Sequence, residues 1–222
     1  MFELNRPAHR RGFLGSVAAT AAAVGLGQFL PRDVAAETIP FTGADPSYLA
    51  WLDRITGKHK MVFDAPEPNG GMPVVWPRVW LDTTNGTYGT TDAQNSAVVI
   101  LRHGAVGFTL SDAMWAKYKL GEVFNIKDGS MAATRNTWIK PLPLPLPGTG
   151  LEALLAKGVL IGACNIALAV YSGAVAQKMN MDAAAVKDEW IKNLIPGVQV
   201  VPSGVLAVSG TQEKGCSYCF AG

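Results

Sequence analysis

Four short apolar runs, separated by stretches long enough to hold helices, constrain this chain more than any other feature. They are residues 60–64 (KMVFD), 97–101 (AVVIL), 159–163 (VLIGA) and 198–201 (VQVV). Runs of four or five apolar residues bounded by turn residues read as buried strands. Strands separated by helix-length segments pair in parallel, because a parallel partner is reached only through a crossover. The expected fold is therefore α/β, a layered sandwich around a mostly parallel sheet.

The intervening segments are less uniform. In residues 37–58, Tyr48, Leu49, Trp51 and Leu52 suit a short amphipathic helix. Residues 74–81 are apolar and carry two tryptophans, and their periodicity fits strand or helix equally. A Gly/Thr/Asn-rich loop is expected over 83–95. Ser111 or Asp112 caps a helix with Met114, Trp115 and Tyr118 on its inner face. Residues 121–150 read as loop, including the run PLPLPLPG at 141–148, which suits an extended polyproline connector. After that, helices are expected over 151–157, over 165–178 and from Asp182 to 193, with a last one opening at Pro202-Ser203-Gly204. Residues 159–176 carry no charge and approach the length of a membrane span. Asn165, Tyr171, Ser172 and the glycines 162 and 173 within them favour a buried strand–turn–helix.

The first 36 residues read as an export segment. A basic stretch holds the pair Arg10-Arg11, a small and apolar run follows over 12–31, and Val34-Ala35-Ala36 offers a small-residue cleavage site. The paired arginines followed by Gly12-Phe13-Leu14 resemble a twin-arginine signal, which implies export to the periplasm in the folded state. The alternative is a retained anchor helix, since roughly 20 apolar residues span a bilayer. Cleavage after Ala36 removes more basic than acidic residues and leaves a mature chain with balanced charge. A balanced chain has no nucleic-acid footprint and no polybasic membrane surface. The expected organisation is a signal at 1–36, an extension at 37–58 and one α/β domain at 59–222.

Three cysteines make up the chemical inventory: Cys164, and Cys216 with Cys219 in a C-x-x-C. An odd number in an oxidising compartment leaves at least one thiol without an intrachain partner. Cys164 ends the run VLIGA and precedes the helix-forming NIALAVYSG. A thiol there meets unpaired backbone N–H groups and the positive end of a helix dipole, and both favour the thiolate. The alternative is a small buried hydrophobe. Cys216 and Cys219 suit a disulfide clip, a resolving pair or half of a metal site. Beyond Cys164, His59 and His103 the mature chain lacks further soft ligands, so no metal or cofactor is assigned. Arg102 and His103 end the strongest strand and are expected at the same crevice, stabilising a thiolate or binding an anion. Met179 and Met181 fit core contacts. The chain has no G-x-G-x-x-G, P-loop, H-E-x-x-H or G-x-S-x-G, which removes most nucleotide, zinc-protease and serine-hydrolase readings.

The stretch LEALLAKGVLIGACNIAL, with NLIPGVQVVPSGVLAVSGTQEKG after it, resembles the DsrE/DsrF-like family of sulfur-relay proteins. The match covers about residues 151–215, with a looser correspondence over 60–119. The resemblance implies a small α/β sandwich that forms homo-oligomers. It also implies a persulfide-carrying cysteine at the position of Cys164, served by a sulfur donor and an acceptor. The C-x-x-C lies outside the family pattern, as do residues 121–150 and those before 60. Two other functional classes fit the same residues. One is a non-catalytic binding or assembly module with a structural clip at Cys216–Cys219. The other is a periplasmic metal-binding or thiol-redox protein using the C-x-x-C.

Overall fold

The computed structural model describes residues 44–140, 146 and 149–222. The export segment and most of the PLPLPLPG run lie outside the described residues. Five parallel strands form one sheet: β1 (His59–Ala65), β2 (Asn95–Leu101), and, after a two-residue hairpin of β3 (Lys127–Asp128) and β4 (Met131–Ala132), β5 (Leu160–Cys164), β6 (Val198–Val201) and β7 (Ser217–Phe220). The order across the sheet is β6-β5-β2-β1-β7. Every pairing in that sheet is parallel. The architecture is thus the expected α/β sandwich, with one strand more than the four apolar runs indicate.

β2 is buried along its whole length, as a central parallel strand covered on both faces must be. Helices α2 (Met72–Tyr88), α3 (Asp112–Tyr118), α4 (Leu120–Val123), α5 (Leu151–Ala156), α6 (Asn165–Lys178) and α7 (Ala183–Lys192) lie along the chain between strands. A large core forms around the side chains of this group, including Val74 and Leu81 of α2, Trp115 of α3 and Trp190 of α7. A second, smaller core lies under α1 (Pro46–Leu52) and α8 (Gly204–Glu213), where Tyr48, Trp51 and Ala207 meet Val62, Val98 and Ile100. Residues 97–101 of β2 alternate between the two cores, which is the period-two signature of a sheet covered on both sides. α1 is therefore part of the domain core, to which Tyr48, Trp51, Leu52 and Ile55 of the expected extension contribute directly.

Residues 74–81 are helical. Gly71 adopts φ 93°, Pro73 sits in the first turn, and Val74, Pro77, Leu81 and Thr84 recur at helical spacing as buried residues. The helix continues into the first part of the Gly/Thr/Asn segment, as far as Tyr88, and stops at Gly89 in the left-handed conformation (φ 64°). Burial of Thr84 outweighs the weak helix propensity of that stretch. The later helices follow their caps: Asp182 Oδ1 accepts from the Ala185 amide at 2.8 Å, and Ser203 Oγ accepts from Leu206 at 3.2 Å. The uncharged stretch 159–176 divides into β5 and α6. No helix among the described residues is long and apolar enough to cross a membrane.

One aromatic assembly supports the segment that carries the site. Trp115 Nε1 donates to the Gly107 carbonyl at 2.9 Å, and Phe108 packs against both Trp115 and Trp138. These contacts fix the 3-10 segment His103–Thr109 that follows β2. Replacing Trp115 by Ala removes a fully buried ring and its hydrogen bond, and is expected to cost about 3–5 kcal/mol. The measurement is the fall in the urea unfolding midpoint.

Candidate functional site

The carboxyl ends of the strands gather the residues with chemistry. Strand order reverses beside β1, where β7 joins on the side away from β2, and crevices in parallel sheets open at such reversals. Asp64 pairs with Ile100, and Ile100 pairs with Gly162. Arg102 lies two residues after Ile100, and Cys164 two after Gly162. By register Asp64, Arg102 and Cys164 share the face that carries α8, and Cys164, at the strand end, reaches the Gly204 amide while also packing against the larger core.

Cys164 ends β5 and is the N-cap of α6. Its Sγ accepts the Ala167 amide at 3.4 Å and the Gly204 amide at 3.1 Å. Gly204 is the first residue of α8, so the sulfur closes orphan donors at the N-termini of two helices at once. Both donors and both dipoles complement negative charge on the sulfur. The thiol side chain is 6% exposed.

Arg102 borders the same point. A Cβ on Gly204 would come within 2.6 Å of Arg102 Cβ and Cδ, so only glycine lets α8 begin under this side chain. Asp64 fixes the guanidinium with two hydrogen bonds, accepting from Nε at 2.7 Å and from Nη2 at 3.0 Å. Nη1 makes no hydrogen bond among the described residues, so the fork leaves its donors available there. Tyr218 of β7 donates to Asp64 Oδ2 at 3.0 Å, which ties the last strand into the same network. The Asp64 hydrogen bond is the main cause that holds the Arg102 proton more firmly than usual, and the nearby Cys164 adds to it.

His103 departs from the expected role. Its Nδ1 meets Glu67 Oε1 at 2.5 Å and its ring packs edge-on against Tyr171 of α6. His103 lies beyond the end of β2, where its backbone turns left-handed (φ 45°) and breaks the strand's alternation, and no hydrogen bond joins it to Cys164 among the described residues. Tyr171 is pushed up to about 12, by burial first and by Glu67 second.

The tail cysteines depart further. All three cysteines are free. Cys219 lies in β7, which spans residues 217–220, and Cys216 immediately precedes that strand; positions three apart in extended chain face opposite sides. Cys216 belongs to the core under α8, and Cys219 packs against the other core. A Cys216–Cys219 clip therefore does not form. Nor does the tail fold back over the crevice to resolve an intermediate, because β7 stands three strands from β5, roughly 14 Å away at sheet spacing. No group of three or more potential metal ligands exists among the described residues.

Asp64, Tyr218 and Gly204 are the site residues that the sequence reading passes over. A carboxylate ending an apolar strand was the available signal for Asp64, since the carboxyl end of a parallel strand is where charge is tolerated at a crevice. Tyr218 had none, because β7 follows no apolar run. No family model matches the chain, and no curated protein matches it.

Burial raises the Cys216 thiol from its ordinary 9.0 to about 11. The folded state then holds a proton that the unfolded state releases between those values. Stability is expected to be full below about pH 9 and to fall as pH rises toward about 11. Urea titrations across this range check it, and Cys216→Val should remove part of the slope.

Proposed function

We propose that the protein is an exported, DsrE-like sulfur carrier that holds sulfur on Cys164 and passes it to a partner thiol. The observation that carries this reading is the pair of amide donors from Gly204 and Ala167 on the Cys164 sulfur. An α/β sandwich with helix, strand, cysteine, helix, strand and final helix in that order supports it as well. Homo-oligomerisation and a periplasmic location belong to the same proposal.

The chemistry is a thiol–disulfide type of exchange. The Cys164 thiolate attacks the outer sulfur of a donor persulfide, and a new S–S bond forms on Cys164. The donor's own S–S bond breaks, and the donor leaves as a thiolate that takes up a proton. No external oxidant or reductant enters, because the sulfane sulfur is only relocated. The terminal sulfur of the new persulfide carries negative charge, and the spare donors of Arg102 Nη1 offer it hydrogen bonds. Transfer onward repeats the exchange with an acceptor thiol attacking the outer sulfur.

The burial of Cys164 favours a second reading, a non-catalytic binding module in which the thiol only packs. Incubation with a sulfane-sulfur donor followed by intact mass separates the two. The carrier reading predicts a gain of one sulfur on the folded wild type and none on Cys164→Ala. An unchanged wild-type mass, or equal gain on the variant, contradicts it.

A further inference from the structure

The opposite end of the sheet holds a cleft that the sulfur chemistry does not use. β7 pairs with β1 only from Met61 onward, so β1 overhangs its neighbour by two residues, His59 and Lys60. The notch beside this overhang has a volume of about 360 Å³, within the range of small-ligand sites. Its polar wall is formed by Lys58, Lys60 and the His59 ring, and no acidic residue lines it. Trp80 and Tyr88 of α2 form the aromatic wall.

Two details indicate what such a cleft accepts. Lys60 Nζ is tethered by donating to the Lys214 carbonyl at 3.0 Å, which sets its ammonium at the rim with donors to spare. The His59 ring stacks on Tyr88 at 4.3 Å between centroids, and His59 Nε2 is buried with no hydrogen-bond partner among the described residues. A buried ring nitrogen without a partner is rare in a folded chain and marks a place where a polar group is owed. Tyr88, whose ring stacks on His59, is 60% exposed and also lines the notch.

From these residues we infer that the notch is a binding site for a small planar anion, a ring bearing a carboxylate or a phosphate. Lys58 and Lys60 meet the charge, His59 Nε2 meets one oxygen, and Trp80 or Tyr88 takes the ring face by stacking. The site lies at the amino end of β1, whereas Cys164 lies at a carboxyl end, so the two are separated by the length of the strand, about 20 Å. Occupancy of one leaves the other accessible.

Calorimetric titration of the full chain with benzoate, phenyl phosphate, cyclohexanecarboxylate and inorganic phosphate tests this. Saturable one-to-one binding is expected for at least one aromatic anion, with cyclohexanecarboxylate and inorganic phosphate each about tenfold weaker. Which aromatic anion binds more tightly identifies the charged group. The double variant Lys58→Gln, Lys60→Gln should weaken binding about tenfold, while Cys164→Ser leaves it unchanged. On the wild type, contacts between ligand ring protons and the Trp80 or Tyr88 ring should appear in nuclear Overhauser spectra, a readout that needs no variant to fold. Absence of saturable binding for both aromatic anions overturns the proposal. So does binding indifferent to the two lysines, or equal binding of the non-planar acid or of inorganic phosphate.

Discussion

The site depends on one contact: the Cys164 sulfur accepting backbone N–H groups from the first turns of both α6 and α8. Two helix N-termini can converge on one atom only if their preceding strands are neighbours and parallel. β5 and β6 satisfy this, with Cys164 in register with Val201. α8 must then start immediately after β6 and run across β5, β2 and β1 to deliver the chain to the far edge as β7. The crossing of α8 thus sets both the geometry of the sulfur and the place of the last strand.

A second constraint follows from the first. Arg102 must fit over the start of α8, and Gly204 is the residue that permits it. A guanidinium so close to a helix N-terminus faces positive partial charge, and the Asp64 carboxylate, itself anchored by Tyr218, offsets that repulsion. Arg102 is consequently held in one orientation and compensated in charge. It can offer directional hydrogen bonds to an added anion without being an open positive patch.

Much of the frame is legible in the residues, because apolar runs and caps act locally. AVVIL and VQVV each fall within a strand, VLIGA overlaps β5 from Leu160 onward, and Asn165–Lys178 is the helix that its composition suggests. The failures have a shared cause in long-range packing. Residues 74–88 are settled as a helix by the side on which Val74, Leu81 and Thr84 find a core, which no local propensity encodes. β7 has exposed Ser217, Tyr218 and Phe220 and no apolar run, and only the open edge of β1 makes it a strand. With β7 unseen, the C-x-x-C looks like a clip, although the strand separates its two thiols. For the site, Cys164 and Arg102 were readable from their places at strand ends. Asp64, Tyr218 and Gly204 join them only through tertiary register.

The chemistry proposed for Cys164 rests on the two amides that meet the sulfur. The most direct measurement follows the amide proton and nitrogen shifts of Gly204 and Ala167 by NMR while Cys164 is loaded from a sulfane-sulfur donor. Both amides should move together with loading, while that of Ala185, which caps onto Asp182 instead, stays still. Loading that leaves Gly204 and Ala167 unmoved would contradict the claim that these donors hold the reacting sulfur.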